Sequence, residues 1–211
     1  ELGLALVCPD TSPRGTDLPG EHDDWDFGSG AGFYVDATEA PWKDHYRMFE
    51  YVTEELPRAI GASQPIDTSR ASITGHSMGG HGALVIGLRN PDMYRSLSAF
   101  APICTTLHSP WGKKALGYYL GADTKTWTVY DACEVARRAD DVTVYDRILV
   151  DQGADDPYLE EQLKPGLLEA ACKESGLPLE LRIHEGYDHG YYFISTFIEE
   201  HLAFHNERLS R

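Results

Sequence analysis

The chain has 211 residues, of which 42% are hydrophobic and 25% charged, a composition that fits one globular domain and excludes disordered, collagen-like and coiled-coil proteins. Its 34 Asp and Glu against 18 Lys and Arg give a formal net charge of −16, which argues against nucleic acid and anionic membranes as partners. The apolar runs are far shorter than the roughly 20 residues that a membrane span needs. The four cysteines include no C-x-x-C pair, so we expect reduced thiols and a cytoplasmic protein.

The start of the chain is abrupt. Residues 2–8 are mostly apolar and predict a buried strand, yet the chain opens with Glu1 and its first methionine is Met48. We therefore expect that an N-terminal segment is missing from this sequence. Residues 9–40 follow with many Gly, Asp, Pro and aromatic residues and no helical period, and such a long irregular stretch in a compact domain is usually functional.

Helix and strand patterns alternate beyond residue 40. Apolar spacing predicts a helix over residues 42–60, which Pro57 should kink or end. The remaining predicted strands are 71–74, 96–100, 147–151 and 179–185, and the predicted helices are 78–89, 132–138, 163–175 and 191–208, with 102–127 irregular. This order predicts a single α/β domain over residues 1–211, with a mostly parallel sheet and helices on both faces.

The most specific motif is G-x-S-x-G at residues 75–79, between a predicted strand and a predicted helix. In that context the pattern is typical of a nucleophile elbow, in which the serine hydroxyl stands exposed on a tight turn at the start of the helix. Ser77 is therefore the candidate nucleophile, and the backbone N–H of Met78 is a candidate oxyanion donor. The alternative interpretation is a glycine-rich turn with an incidental serine.

A serine nucleophile needs a base and an acid that orients the base, and in this type of fold they follow in the order Ser, Asp or Glu, His. His189 lies directly after a predicted strand and before a helix, so we expect it to be the base. The pair His201 and His205 has metal-ligand spacing, but a solvated helix face is the favoured interpretation. The acid should follow the strand at 147–151, and placement alone leaves the candidates Asp151, Asp155 and Asp156 open.

These residues resemble the S-formylglutathione hydrolase (esterase D) family along the whole chain. The matching stretches are P-D-T-S-P-R-G at 9–15, W-D-F-G at 25–28, G-A-G-F-Y-V-D-A-T at 30–38, G-H-S-M-G-G-H-G at 75–82, S-A-F-A-P-I at 98–103, P-W-G-K-K at 110–114, D-Q-G at 151–153 and G-Y-D-H at 186–189. The resemblance implies an α/β-hydrolase that cleaves S-formylglutathione and simple esters without a cofactor or metal, and it suggests a homodimer. It places the family's catalytic residues on Ser77, Asp156 and His189.

The departure from the family pattern is at the front of the chain. By strand count the first strands of the fold, and the loop that supplies the second oxyanion N–H, are expected to be missing here. The chain as printed should then be a poor catalyst, because losing one such donor costs roughly 10²–10³ in rate.

Further residues are candidates for the substrate pocket. Trp25, Phe27, Trp111 and Tyr191 could line it, although core packing explains them equally well. Glutathione is anionic, and the candidate bases for its recognition are Arg14, Lys113 and Lys114.

Two other functional interpretations remain open. One is a feruloyl-type esterase or acyltransferase of the same fold, and the other is a non-catalytic α/β-hydrolase scaffold that serves as a binding module.

Overall fold

The computed structural model describes residues 2–211, and one parallel sheet organises them. Its strands are β1 (Ala71–Ile73), β2 (Tyr94–Phe100), β3 (Ile148–Gly153) and β4 (Leu179–His184). They lie in the order β1-β2-β3-β4, and each neighbouring pair is parallel. All six residues of β3 are buried, as expected for a strand covered on both faces. The predicted parallel sheet is confirmed, and the four strands begin and end within two residues of their predicted positions.

Residues 2–211 contain seven α-helices. They are α1 (Met48–Glu50), α2 (Leu56–Ser63), α3 (Met78–Arg89), α4 (Pro110–Leu120), α5 (Ala132–Arg137), α6 (Pro165–Ser175) and α7 (Tyr191–Leu209). Both α3 and α7 pack against β2, and α6 packs against α5 and β4. The hydrophobic core continues from this sheet into the loop at residues 27–46 and into α4. None of these helices, among residues 2–211, is long and apolar enough to cross a membrane.

The helix predicted for residues 42–60 is broken into pieces. A 3₁₀ turn at Trp42–Asp44 precedes α1, and a π turn at Tyr51–Glu55 separates α1 from α2. Pro57 lies in the first turn of α2. A proline has no N–H to donate and its ring would crowd the carbonyl four residues earlier, so the wider π turn and a position at a helix start both accommodate it.

Two predicted segments are wrong. Residues 2–8 form no strand, and Leu6 is 73% exposed, because no neighbouring strand among residues 2–211 pairs with this apolar run. The stretch at 102–127, predicted to be irregular, contains α4. The Ser109 side chain accepts a hydrogen bond from the Gly112 N–H, and Pro110 is the first helical residue, so a serine N-cap followed by proline begins this helix.

Candidate active site

Ser77 lies on a strained turn between β1 and α3. Its φ angle is +58°, in a region that residues other than glycine rarely adopt. The turn needs small neighbours: a Cβ at Gly75 would meet the Gly79 carbonyl oxygen, and a Cβ at Gly82 would meet the Tyr34 ring. Met78 is the first residue of α3, so its N–H has no partner within the helix. The predicted strand–elbow–helix context is therefore present.

Three of the predicted residues meet at the carboxyl edge of the sheet. The Nε2 atom of His189 lies 2.9 Å from the Ser77 Oγ, and its Nδ1 lies 2.6 Å from the Oδ2 of Asp156. The Asp156 side chain is fully buried, whereas 16% of the His189 side chain is exposed. This geometry is that of a nucleophile, a base and an orienting acid joined in series.

The buried carboxylate fixes the tautomer of the histidine. An ionised carboxylate only accepts hydrogen bonds, so the His189 Nδ1–H donates to Asp156 and Nε2 is left to accept from the Ser77 hydroxyl. Burial would raise the pKa of Asp156, but hydrogen bonds from His189 and from the Tyr158 backbone outweigh it and hold that pKa below its ordinary value. Asp156 therefore stays ionised at neutral pH.

The loops that carry the acid and the base are fastened to each other. The Asp155 N–H donates to the Tyr187 carbonyl at 3.0 Å, and the Ala154 N–H donates to the His184 carbonyl at 2.9 Å. A Cβ at Gly153 would meet that same Tyr187 carbonyl, so the end of β3 packs directly against the loop that precedes His189. These contacts fix the position of the Asp156 loop relative to the His189 loop.

The other two candidate acids are placed elsewhere. Asp155 is exposed, while its neighbour Asp156 is buried. Asp151 is also buried, but both of its oxygens bind Arg182, at 2.5 and 2.6 Å. Of the three aspartates that placement left open, only Asp156 contacts His189 among the described hydrogen bonds.

The expectation that His201 and His205 form a solvated helix face is wrong. His201 is fully buried and His205 is 5% exposed. Both rings lie within 2.8 Å of the Ser98 hydroxyl on β2, and His201 Nε2 is 3.2 Å from Asp151. They follow Phe193 and Phe197 at four-residue intervals, so helical periodicity places them on the inner face of α7. Residues 2–211 contain no cluster of three or more His, Cys, Asp or Glu side chains that could hold a metal ion.

Aromatic rings lead from solvent to His189. Trp25 packs edge-on against Trp111 at 5.3 Å, Trp111 against Tyr158 at 4.8 Å, and Tyr158 against His189 at 5.1 Å. Trp25 is 75% exposed, so the row begins at the surface. Two of the predicted pocket residues, Trp25 and Trp111, thus belong to a wall that reaches the candidate base.

The other two predicted pocket residues are placed differently. Phe27 is buried, and its aromatic neighbours are Trp42, Tyr118 and Tyr119, so it belongs to the core. Tyr191 is 85% exposed at the start of α7, two residues after His189.

The candidate bases for glutathione differ in their surroundings. The Lys114 ammonium lies 2.9 Å from Asp24 and 2.6 Å from Asp26, and it fastens the long loop to α4. Arg14 pairs with Asp10 at 3.1 Å. Lys113 is exposed on α4, beside Trp111 and Gly112, and no ion pair within residues 2–211 involves it.

Three of the four cysteines are too deeply buried to act as an alternative nucleophile. All four are free, and Cys104, Cys133 and Cys172 are buried. Burial raises the pKa of Cys172 to about 11, so it remains a protonated thiol at neutral pH.

Comparison with known proteins identifies the family. Residues 1–204 match the model of the family described as "Putative esterase". S-formylglutathione hydrolase of Rattus norvegicus is 54% identical over 211 residues, which are 100% of this chain and 74% of the rat protein. The Arabidopsis thaliana S-formylglutathione hydrolase is 50% identical over 208 residues, which cover 98% of this chain and 72% of the plant protein.

The chain belongs to the S-formylglutathione hydrolase family of esterases.

Solved structures agree with this assignment. An S-formylglutathione hydrolase from Agrobacterium tumefaciens superposes with a TM-score of 0.93 at 54% identity, over 99% of this chain and 74% of that one. A ferulic acid esterase superposes with a TM-score of 0.62 at 20% identity, over 83% of this chain and 64% of that one. The second likeness shows a shared fold alone, so the feruloyl-type alternative gains no support from it.

Three residues at the site were not singled out from the sequence. Gln152 donates to Asp156, the His76 ring packs against His189 at 4.5 Å, and Tyr158 contacts both His189 and Asp156. Each lies within four residues of a predicted catalytic residue, and that proximity in sequence was the available signal. Burial lowers the pKa of His76 to about 4, so this second histidine is neutral beside the base at neutral pH.

Proposed function

We propose that the protein is a serine hydrolase that cleaves S-formylglutathione to glutathione and formate through an acyl-enzyme on Ser77. The observation that carries the proposal is the connected series Ser77–His189–Asp156, with contacts of 2.9 and 2.6 Å. The substrate comes from the relatives, which are S-formylglutathione hydrolases at 50–54% identity.

In the first half of the reaction, the Ser77 Oγ attacks the formyl carbon while His189 Nε2 takes the hydroxyl proton. The Asp156 carboxylate stabilises the imidazolium that forms, and the Met78 N–H donates to the developing oxyanion. Collapse of the tetrahedral intermediate breaks the carbon–sulfur bond. His189 returns its proton to the glutathione sulfur, and a formyl ester remains on Ser77.

In the second half, a water molecule gives its proton to His189 and attacks the same carbon. The new tetrahedral intermediate expels the Ser77 oxygen, which takes the proton back from His189, and formic acid leaves and ionises to formate in water. The strained backbone at Ser77 supports this role, because it holds the hydroxyl clear of its own helix and in reach of both His189 and substrate.

We further propose that the row formed by Trp25, Trp111 and Tyr158 is the apolar wall of the substrate pocket. Tyr191, next to the histidine loop, would lie at its rim. A thioester with a large peptide-like leaving group needs a long surface near the nucleophile, and these rings extend from His189 to solvent.

The wider setting is part of the same proposal. We propose that residues 1–211 act as one α/β-hydrolase domain, that the protein works as a cytoplasmic homodimer, and that its reaction serves formaldehyde detoxification. We also propose that it needs no cofactor or metal. A net charge of −16 disfavours nucleic acid and anionic membranes as partners and leaves small molecules as the expected ligands.

The test is covalent labelling combined with turnover. A serine-directed fluorophosphonate should add one adduct to the natural protein, on the peptide that contains Ser77, and the protein should release formate from S-formylglutathione. Ser77→Ala should abolish both signals. An adduct on another residue, or formate release that survives the substitution, would overturn the proposal. Competition by added thiol acceptors would separate a hydrolase from an acyltransferase, since only a transferase passes the acyl group on efficiently.

A further inference from the structure

Within residues 2–211, one side chain besides His189 is hydrogen-bonded to the carboxylate of Asp156. Gln152, on β3, is fully buried, and its Nε2 donates to the Asp156 Oδ2 at 3.1 Å and to the Gly153 carbonyl at 3.1 Å. The same Oδ2 accepts from His189 Nδ1, while Oδ1 accepts from the Tyr158 N–H at 2.9 Å. The oxygen that faces the base is therefore fixed from two sides.

The orientation of the Gln152 amide follows from its neighbours. Both groups at its nitrogen, the Asp156 carboxylate and the Gly153 carbonyl, are acceptors, so a flipped amide would set oxygen against oxygen. In the observed orientation its own Oε1 is buried and has no hydrogen-bond partner within residues 2–211. A buried polar atom left without a partner costs stability and calls for an explanation. The hydrogen bond from the Gln152 Nε2 to Asp156 explains why the amide is held in this orientation.

We propose that Gln152 is a positioning residue, which locks the Asp156 carboxylate in the orientation that His189 needs. This inference rests on the proposed role of the Ser77–His189–Asp156 series. Gln152 touches neither substrate nor the reacting atoms, and it acts through Asp156.

The first test is Gln152→Leu, which keeps approximate size and removes the donor. Loss of a hydrogen bond to a charged group predicts a fall of about 10- to 100-fold in kcat and in the rate of fluorophosphonate labelling of Ser77. KM should stay unchanged, because the aromatic wall is untouched. The measurements use the protein in its natural full-length form.

A matched control separates positioning from stability. Thr105 is buried, and its hydroxyl donates at 2.6 Å to Asp131, a buried carboxylate outside the Ser77–His189–Asp156 series. Thr105→Val therefore removes a comparable bond. It should lower the melting temperature and leave the labelling rate of Ser77 within about twofold of the natural protein, since among the described hydrogen bonds neither Thr105 nor Asp131 shares a partner with Ser77, His189 or Asp156.

The second test is a pH profile of Gln152→Glu. A protonated carboxyl at this position can donate to Asp156 as the amide does, but its ionised form would repel that carboxylate. Burial and the adjacent negative charge both favour the protonated form, so ionisation should occur above the ordinary range for glutamate. The labelling rate relative to the natural protein should then fall as pH rises, a trend that a merely structural residue would not produce.

The pH profile of Gln152→Glu depends on the charged groups near position 152. The titratable groups that the described contacts connect to the Gln152 amide are Asp156 and, through it, His189, with the neutral His76 against the His189 ring. Asp151, with Arg182 and His201, points to the opposite face, because side chains alternate along a strand. On the adjacent strand, Ile183 pairs with Gln152 and carries no charge.

The outcomes are distinguishable from failure of the proposed function. Labelling of Ser77 reports the activation of the serine whatever the natural substrate is, so absent formate release with normal labelling would refute the substrate alone. Equal labelling rates in Gln152→Leu and the natural protein, with a pH-independent rate ratio for Gln152→Glu, would overturn the positioning role. Slower labelling in both Gln152→Leu and Thr105→Val by the same factor would overturn it as well.

Discussion

The molecule contains two connected sets of Ser, His and Asp, and only one of them has the features of an active site. At the sheet edge, Ser77, His189 and Asp156 are joined by contacts of 2.9 and 2.6 Å. Between β2 and α7, Ser98 lies 2.8 Å from His201, which lies 3.2 Å from Asp151. The two sets contain the same three residue types, and in both sets the side chains are within hydrogen-bond distance of each other.

Their surroundings differ. Ser98, His201 and Asp151 are all 0% exposed, so no substrate can reach the serine. Ser98 lies in the regular strand β2, whereas Ser77 lies on a strained turn with a free N–H beside it at Met78. The acids also differ, because Asp151 is already neutralised by Arg182. Access, backbone strain and an oxyanion donor therefore distinguish the candidate catalytic set from the buried set, and residue composition does not.

The sharpest contrast between the two sets is in their serines. Ser77→Ala should lower kcat by about 10⁶, the scale of loss when the serine of a catalytic series is removed. Ser98→Ala should retain activity, since its hydroxyl only links β2 to α7 and to Thr74. Kinetics on S-formylglutathione or a simple ester, alongside thermal melts, check both. A folded but inactive Ser98→Ala would show that the buried set also takes part in the reaction.

The next largest effect concerns the acid. Asp156→Asn should lower kcat by about 10⁴, because an amide in place of the carboxylate favours the wrong histidine tautomer. Asp155→Asn is the matched control, as its side chain is adjacent in sequence and exposed. Its kcat should stay near that of the natural protein. A more damaging Asp155→Asn would transfer the acid role to that residue.

Asp151→Asn should lower the stability of the fold and leave kcat unchanged. Removing one partner of a fully buried ion pair destabilises a protein by about 3–5 kcal/mol. Asp151 is buried but the Arg182 side chain is 26% exposed, so we expect a loss below that range from the bonds of Asp151 to Arg182 and His201. Urea unfolding should show the loss, while the folded fraction should keep its kcat. A large fall in kcat without loss of stability would mean that the buried set contributes to catalysis.

The sequence predicted those parts of the molecule that depend on local pattern. The elbow at Ser77, the parallel strands and the helix at residues 78–89 follow from spacing and from glycine at positions where a Cβ does not fit. Local pattern left the acid open between neighbouring residues, because the choice depends on which carboxylate turns inward. The family resemblance favoured Asp156, which is the residue that contacts His189.

The errors came from long-range packing. The apolar run at residues 2–8 predicts a strand only if a neighbouring strand pairs with it, and none in residues 2–211 does. The expected solvated face for His201 and His205 is wrong because they share a face of α7 with Phe193, which is buried, and Phe197, which is partly buried against the core. A polar residue on an inner face finds partners on other elements, here Ser96 and Ser98 on β2, and these are far away in sequence.

The smallest expected effect is a pH dependence of stability that arises from the histidines on the inner faces. Burial lowers the pKa of His205 to about 3 and that of His81 to about 4, so both stay neutral in the folded protein. The unfolded chain binds their protons near the ordinary value of about 6.5. Between these values the unfolded state holds more protons, so the free energy of unfolding should decrease as pH falls, by about 1.4 kcal/mol per pH unit for each such histidine. Urea midpoints at pH 7, 6 and 5 measure this slope of the free energy of unfolding. His205→Gln should reduce the slope by the contribution of one histidine, about 1.4 kcal/mol per pH unit. An unchanged slope in that variant would show that His205 is protonated within the fold, where its described hydrogen-bond partners, the Ser96 and Ser98 hydroxyls, carry no charge to balance it.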